Sequence, residues 1–228
     1  TVGASISGLN TYVVEKISKV LGNNHFMIAR MAFTGDMSDE EFERRNRRNK
    51  RINWDDYEWV RDHCPSCSEV GAGVGRGADL KQDGIEFPGA QVFGHSANMV
   101  DVEDKTIVNG RFISEDEVTR SALVVVLGED IREKFFPNTD PIGRSLKVNG
   151  LPFKVIGVEE KRGSFLGGSM DRHIYIPVTT HLQMFGRNGL QIHGKTRTRE
   201  TFHQAIEEAR VAMRIKHRLN GNEEDDFG

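Results

Sequence analysis

Two cysteines, Cys64 and Cys67, are the residues whose type and spacing best suit a chemical reaction. They lie in the segment HCPSC, and a Cys-x-x-Cys pair can be a redox-active dithiol, half of a metal site or a simple disulfide. A helix N-terminus lowers a thiol pKa, but these cysteines follow a helix predicted to begin at Asn53. Redox catalysis is therefore disfavoured, and a structural disulfide and two free thiols both stay open.

Other reactive constellations are absent from the sequence. Cys64, Cys67 and His63 have no second ligand pair at zinc-site spacing. The glycine-rich run Gly71–Gly75 lacks the Gly-Lys-Ser/Thr ending of a phosphate loop and is better read as a glycine-rich strand. No G-x-S-x-G elbow is present. The histidines form no HxH or HxxxH pair and are read as structural. We therefore predict no catalytic residue, no cofactor and no metal, and hence no enzyme activity in this chain.

Composition narrows the class of protein further. The chain has 228 residues, of which 29% are charged, with a formal net charge of −3, so nucleic acid is not an expected partner. No apolar run approaches the roughly 18 residues that cross a bilayer. Thr1 is not followed by a signal peptide, and we expect a soluble chain.

The stretch from Ser121 to Pro177 carries the clearest structural signals. The segment Glu129–Phe136 has a helical pattern that Pro137 ends. Asn149-Gly150 is a strong hairpin signal because both positions tolerate positive φ. The apolar runs predicted to be strands are Ala122–Leu127, Ser145–Val148, Phe153–Val158 and Ile174–Ile176.

The order and spacing of these signals resemble the periplasmic core domain of MacB-like, FtsX-like ABC transporter permeases. The shared pattern is a strand, a helix ending in Phe136-Pro137, the segment DPIG, a hairpin, a Gly/Ser-rich loop and Tyr175-Ile176-Pro177. The resemblance implies structural roles for the motif residues Gly128, Pro137, Pro141, Gly143, Gly150, Gly157 and Pro177.

Signals outside this stretch place the remaining elements. Apolar residues at helical spacing predict an amphipathic helix over residues 1–21. Asn53 is a predicted N-cap, and Ser114 with Glu117 forms a predicted capping box. Short strands are predicted at Ala78–Leu80, Ile85–Phe87 and Gln91–Gly94, a further strand at Leu190–Lys195, and a long helix at Thr198–Arg218 with Ile215 in its apolar stripe.

Residues 36–51 form a charge run. We interpret it as a solvated, partly mobile loop or helix face, although its basic residues are a candidate contact for an acidic surface or anionic lipid.

The resemblance implies an α+β fold with two lobes. A porter-like β-α-β lobe is formed by both chain ends, over residues 25–98 and 188–228. A mixed α+β lobe, similar to the one called the Sabre, is inserted over residues 99–187. Residues 1–24 would be a stalk-proximal helix leading out of a transmembrane segment.

The resemblance also implies a function without chemistry in this domain. It would be the periplasmic domain of an inner-membrane permease that transmits ATP-driven motion to a periplasmic partner or cargo, in export, efflux or lipoprotein handling. Expected partners are an ABC ATPase domain or subunit, reached through transmembrane segments outside this chain, and a membrane-fusion adaptor. The full-length protein is expected to be a homodimer and the isolated domain a monomer. No motif identifies the cargo.

Two other functions stay open. One is a thiol–disulfide oxidoreductase using Cys64 and Cys67, and the other is a free-standing periplasmic binding module.

Phe165 and Leu166 are the candidate partner contact. They lie on the glycine-rich loop Arg162–Met170, where exposed apolar residues commonly mark a binding surface. The alternative is that both side chains pack under the neighbouring sheet.

Overall fold

The computed structural model describes residues 24–31 and 37–228. The helix predicted over residues 1–21 lies outside these residues. The strands are β1 (His25–Ile28), β2 (Glu69–Gln82), β3 (Ile85–His95), β4 (Ile107–Gly110), β5 (Val124–Leu127), β6 (Ser145–Val148), β7 (Leu151–Glu159), β8 (Ser164–Phe165), β9 (Gly168–Ser169), β10 (His173–Pro177) and β11 (Gln191–Lys195). The helices are α1 (Asp39–Arg48), α2 (Trp54–Asp62), α3 (Met99–Val102), α4 (Glu115–Thr119), α5 (Glu129–Phe135), α6 (Val178–Phe185) and α7 (Phe202–Lys216).

One mixed nine-stranded sheet contains nearly all of the described strands. Its order is β1-β11-β2-β3-β10-β5-β7-β4, with β6 also paired to β7. Strand β10 runs parallel to β3, and β5 runs parallel to β7, while the other pairs are antiparallel. This mixed α+β architecture confirms the predicted fold class.

The sheet passes through the predicted lobe boundary. Strand β3, within residues 25–98, pairs with β10, within residues 99–187, and Phe93 lies opposite Tyr175. Strand β11 returns from the predicted inserted lobe to pair with β1 and β2. Two hydrophobic cores flank the sheet: one includes α2 and α7, and the other includes α5 and the β6–β7 hairpin. The two-lobe division itself stays a prediction.

Several local predictions are confirmed because short-range hydrogen bonds decide them. Asn53 and Asp56 form a reciprocal capping box at the start of α2, and Ser114 and Glu117 form another at the start of α4. The turn between β6 and β7 has φ of 51° at Asn149 and 79° at Gly150, as a two-residue hairpin of this handedness requires.

Other elements differ from their predicted form. The three short strands predicted between residues 78 and 94 are parts of the long hairpin β2–β3, which has a register shift between Ala78 and Leu80. The charge run, by contrast, agrees with its interpretation as a solvated helix face, because it contains the helix α1, which begins at the Ser38 N-cap and buries none of its residues. In α7, Ile215 is 61% exposed, because Ala205 and Ala212 face the core instead.

Candidate functional site

The loop Arg162–Met170 projects from the end of β7 as a small hairpin formed by β8 and β9. Leu166 lies at its tip and is 82% exposed, whereas Phe165 is half-buried. The structure therefore separates the two residues of the candidate contact: Leu166 is presented to solvent, and Phe165 is partly covered.

The neck of this loop is held by Asp171, which is only 1% exposed. Its carboxylate accepts a hydrogen bond from the backbone N–H of Arg162 at 2.7 Å and another from that of Gly163 at 2.8 Å. The N–H of Met170 donates to the carbonyl of Gly163 at 2.8 Å and closes the neck. A fixed base thus carries an exposed apolar tip.

A group of buried ionisable side chains lies beneath the neck, and we call it the buried charge cluster. Its members are Glu103, Lys105, Glu159, Arg162, His173 and Tyr175. Arg162 Nε lies 2.5 Å from Glu159 Oε1, and His173 Nε2 lies 3.3 Å from Glu159 Oε2. Lys105, whose side chain is fully buried, donates to Tyr175 Oη at 3.0 Å and pairs with Glu103. Every charge in the cluster thus has a partner of opposite sign.

These pairings shift the protonation equilibria of the cluster. Burial alone raises the pKa of Glu159, but the hydrogen bond from His173 and the charges of Lys105 and Arg162 outweigh it and lower that pKa to about 2. Burial also raises the pKa of Glu103, yet Lys105 helps to lower it to about 2. Burial lowers the pKa of Lys105, opposed by Glu103 and Glu159. Both carboxylates are therefore ionised at neutral pH.

The sheet register brings the cluster together. His173 and Tyr175 alternate along β10 with Ile174 and Ile176, so both lie on the same face of the sheet. Glu159 ends β7 and lies opposite Ile107 at the start of β4. The sequence analysis did not identify this cluster. The sequence signal that could have indicated it is the alternation of His173 and Tyr175 with isoleucines, which is typical of a buried strand with one polar face.

The same sheet face carries further buried histidines. His95 lies opposite Pro177 of β10, and its ring centroid is 4.8 Å from that of Tyr175. His193 Nδ1 lies 2.8 Å from His25 Nε2. Burial lowers the pKa of His95 well below its usual range and that of His193 to about 3, so both are neutral at physiological pH. This agrees with the structural interpretation of these histidines.

Cys64 and Cys67 are joined by a disulfide in the turn that follows α2. Cys64 is 4% exposed, and Ser66 between the two cysteines binds the Glu208 carboxylate through its N–H and its hydroxyl, each at 2.8 Å. These two hydrogen bonds therefore hold the disulfide turn against α7. Among residues 24–31 and 37–228, no group of three His, Cys, Asp or Glu side chains is arranged to hold a metal ion.

A second polar site fixes the C-terminal segment. His217 Nδ1 lies 2.6 Å from Asp226 Oδ1, and His217 Nε2 lies 3.2 Å from Asp56 Oδ1 on α2. Lys50 Nζ approaches the other Asp226 oxygen at 3.2 Å. The hydrogen bond to Asp56 is the main cause that raises the pKa of His217, against the opposing effect of burial, with Asp226 contributing in the same direction.

The motif residues lie in turns, at the ends of helices and strands, and, for Gly157, within β7. Gly128 is the N-cap of α5, and its N–H donates to the carbonyl of His173 at 2.8 Å. A Cβ at Gly157 would lie 2.2 Å from the Arg111 carbonyl oxygen, so the close approach of the backbone that follows β4 excludes a side chain there. Pro137 follows α5, Pro141 and Gly143 lie in the turn before β6, Gly150 lies in the β6–β7 turn, and Pro177 ends β10.

Comparison with known proteins identifies the family. Residues 1–212 match the family model described as the MacB-like periplasmic core domain. The chain belongs to this family. It is thus a periplasmic domain of an inner-membrane ABC transporter permease, which disfavours the oxidoreductase alternative.

Curated relatives are much longer than this chain. The chain is 37% identical over 98 residues to the macrolide export ATP-binding/permease protein MacB of Aggregatibacter actinomycetemcomitans, an alignment that covers 42% of this chain and 15% of that protein. It is 28% identical over 180 residues to the MacB of Neisseria meningitidis serogroup A, covering 76% of this chain and 26% of that protein. The chain thus spans a small fraction of the relatives it matches.

Solved structures share the fold. The periplasmic region of MacB from Actinobacillus actinomycetemcomitans superposes with a TM-score of 0.73 at 23% identity, over 92% of this chain and 90% of that one. The extracellular domain of the noncanonic ABC-type transporter YknZ from Gram-positive bacteria has a TM-score of 0.67 at 19% identity, over 86% of this chain and 96% of that one. None of the described helices is long and apolar enough to cross a membrane.

Proposed function

We propose that this domain transmits motion, driven by ATP hydrolysis elsewhere in the transporter, to a periplasmic partner or cargo through the loop Arg162–Met170. The observation that carries the proposal is the exposed Leu166 at the tip of a loop whose neck is fixed by Asp171. An exposed apolar side chain of this size, held on a rigid base, is suited to dock into a partner surface.

A continuous sheet supports this mechanical role. The nine-stranded sheet extends from β1, which follows the N-terminal segment, to β4, and β7, which leads into the loop, pairs directly with β4. Packed sheets deform little, so displacement at one edge is passed to the other as rigid-body motion. Residues 1–21 and the segment Asn220–Phe227 are the proposed stalk attachments, and in the two-lobe arrangement the loop belongs to the inserted lobe.

The C-terminal attachment is firmly docked. Asp225 Oδ1 pairs with Arg214 at 2.6 Å and Asp225 Oδ2 with Arg210 at 2.7 Å, both on α7. Gly228 and Ala29 exchange two backbone hydrogen bonds of 2.8 Å beside β1. A force applied to this segment would therefore be transmitted to α7 and to the sheet.

The proposed assembly has three components besides this domain. An ABC ATPase domain or subunit hydrolyses ATP, transmembrane segments connect it to the domain, and a membrane-fusion adaptor is the candidate periplasmic partner. The full-length permease would act as a homodimer, and the isolated domain would be monomeric.

The test replaces Leu166 with Ser, alone and together with Phe165→Ser, in the full-length transporter. We expect partner-stimulated ATP hydrolysis or export to fall while basal ATP hydrolysis and the melting temperature of the domain stay unchanged. Val211→Ser is the matched control, because Val211 is a half-exposed apolar residue on α7. Unchanged stimulation in the double variant would refute the role of this loop, and a large fall in melting temperature would show that Phe165 is a core residue.

A further inference from the structure

Three hairpins in the described part of the chain share one turn geometry. In each, two residues with positive φ lie between paired strand residues, which is the type I′ turn that suits the twist of antiparallel strands. The turn residues are Asp83-Gly84, with φ of 51° and 78°, Asn149-Gly150, with φ of 51° and 79°, and Leu166-Gly167, with φ of 49° and 81°. The three turns therefore differ in the type of their first residue and hardly at all in these backbone angles.

Leucine is the unusual residue at this first position. For an L-residue the left-handed region brings Cβ close to the following carbonyl oxygen, and Asn and Asp offset part of that cost through local hydrogen bonds of their short side chains. Asp83 and Asn149 follow this rule. Leu166 has no such hydrogen bond to offer, and its side chain is 82% exposed, so packing within the domain does not compensate either. Leucine therefore weakens the hairpin that carries it.

The surface around Leu166 is uncharged. Residues 163–170 contain no charged side chain, and Ser164, Gly167, Gly168 and Ser169 are exposed. Among the described strands β8 and β9 pair with each other alone, so the outer edge of each presents backbone donors and acceptors to solvent. One apolar side chain is thus surrounded by groups that can form hydrogen bonds.

We propose that Leu166 is a specificity-determining contact, which the strained turn presents to an uncharged apolar pocket of a folded periplasmic protein. The proposal rests on the proposed function, since the loop must contact a partner, and it adds that the partner recognises a leucine held in a type I′ turn. Docking removes the leucine from water, and this gain can offset the cost that the turn imposes on the free domain.

A protein pocket fits the loop better than a bilayer does. Burial of one leucine side chain changes binding by about tenfold to a hundredfold, which alone would not hold the domain on a lipid surface. Residues 163–170 also lack the basic side chains that anionic lipids attract. A pocket can add hydrogen bonds to the backbone of Gly167 and Gly168, and the base fixed by Asp171 lowers the ordering cost of binding.

The first measurement tests whether leucine strains the turn. Leu166→Asn keeps the turn and removes the apolar side chain. Hydrogen exchange at Phe165 and Gly168, which pair across the turn, should therefore slow by about fivefold or more in the 228-residue chain. Asn149→Leu is the matched converse and should speed exchange in the β6–β7 hairpin by a similar factor. Equal or faster exchange in Leu166→Asn would overturn the inference and leave the proposed function standing.

The second measurement tests recognition in the full-length transporter, with the membrane-fusion adaptor as the added partner and ATP hydrolysis as the readout. Leu166→Asn should lose most of the adaptor stimulation although its hairpin is more stable, and Leu166→Met, which keeps an apolar side chain, should retain most of it. Gly167→Val keeps the leucine but disfavours the positive φ, without a clash, because no atom lies within 4 Å of the added Cβ. It should lose stimulation too, whereas Gly84→Val, at the equivalent position of the β2–β3 turn, should not.

The outcomes separate this inference from the proposed function. Unchanged stimulation in Gly167→Val, together with a loss in Leu166→Ser, would overturn recognition of the turn and keep the proposed function. Unchanged stimulation in both Leu166→Asn and Leu166→Ser, or none in the parent, would overturn both. Sedimentation of the parent domain with vesicles of phosphatidylglycerol and phosphatidylethanolamine, lost in Leu166→Asn, would assign the leucine to lipid. Dimerisation of the domain that the same variant abolishes would assign it to a second copy, and either result would overturn the protein pocket.

Discussion

Asp171 holds Gly163 by a 2.8 Å hydrogen bond from the Gly163 N–H to Asp171 Oδ2, across the neck of the loop that carries Leu166. The other carboxylate oxygen of Asp171 holds Arg162 in the same way. One buried side chain thus satisfies two consecutive backbone donors, and the orientation of the loop depends on it.

Asp171→Ala should release the loop without unfolding the sheet. Two partly buried N–H groups would lose their acceptor, at a cost of up to about 1–3 kcal/mol each when no water replaces it. We expect a lower melting temperature and faster hydrogen exchange at Arg162 and Gly163, while amides of β2 and β3 stay protected. Asp116→Ala, at an exposed position of α4, is the control. Normal protection at Gly163 in Asp171→Ala would contradict this account of the neck.

Lys105→Met tests the buried charge cluster. Removing this ammonium would leave Glu103 without its buried partner and Tyr175 Oη without its donor. Breaking one side of a buried ion pair costs about 3–5 kcal/mol, whereas an exposed pair contributes about 1 kcal/mol or less. Chemical denaturation should therefore show a large loss of stability in Lys105→Met and almost none in Lys81→Met, whose pair with Glu86 is exposed. Equal losses in the two variants would mean that the cluster is solvated.

His217 should make stability depend on pH. Its pKa is raised by Asp56, with help from Asp226, so the folded state binds this proton more tightly than the unfolded chain does. The stabilisation is complete below the ordinary pKa of 6.5 and is lost as the pH rises through the raised pKa of the folded protein.

The stability difference between the parent and His217→Gln should accordingly shrink as the pH rises above 6.5 and through the raised pKa of His217. The measurement is denaturant unfolding at a series of pH values, with exposed His203→Gln as the control. Lys50, Asp56 and Asp226 are the charged groups that face His217 and are left unchanged. A difference that grows with pH would mean that His217 is neutral in the folded protein.

Local chemistry explains which parts of this fold could be predicted from the sequence. Asn53, Ser114 and Asn149-Gly150 act through bonds within a few residues, and those predictions are confirmed. The pairing of Phe93 with Tyr175 joins distant parts of the chain, and no local pattern encodes it.

Part of the candidate site could likewise be predicted from the sequence, and part could not. The exposed loop could be located from its glycines, because turn chemistry is local. The buried charge cluster could not be located from the sequence. Nothing in the sequence around Lys105 distinguishes it from an exposed lysine, and it is buried by β7 and β10, which are distant from it along the chain. The sheet on which α7 packs likewise decides which face of this helix is buried, and Ile215 lies on the face that is exposed to solvent.

The Cys64–Cys67 disulfide should be structural. It closes a very short loop, for which chain entropy accounts for about 2 kcal/mol. We expect Cys64→Ser/Cys67→Ser to lower the melting temperature modestly and to weaken the contact between Ser66 and Glu208. In an insulin-reduction assay the parent should be inactive; clear activity that disappears in Cys64→Ser would restore the oxidoreductase alternative.

The most direct test of the central claim measures whether the loop moves with the nucleotide state. Spin labels at Ser164→Cys in the full-length permease would report the distance between the two loops of the proposed homodimer, with and without ATP. A second label at Gln204→Cys on α7 would report the distance within one domain. We predict that ATP shifts the distance between loops and leaves the distance within the domain unchanged, as rigid-body transmission requires. An unchanged distance between loops, in a transporter that binds and hydrolyses ATP, would contradict the account.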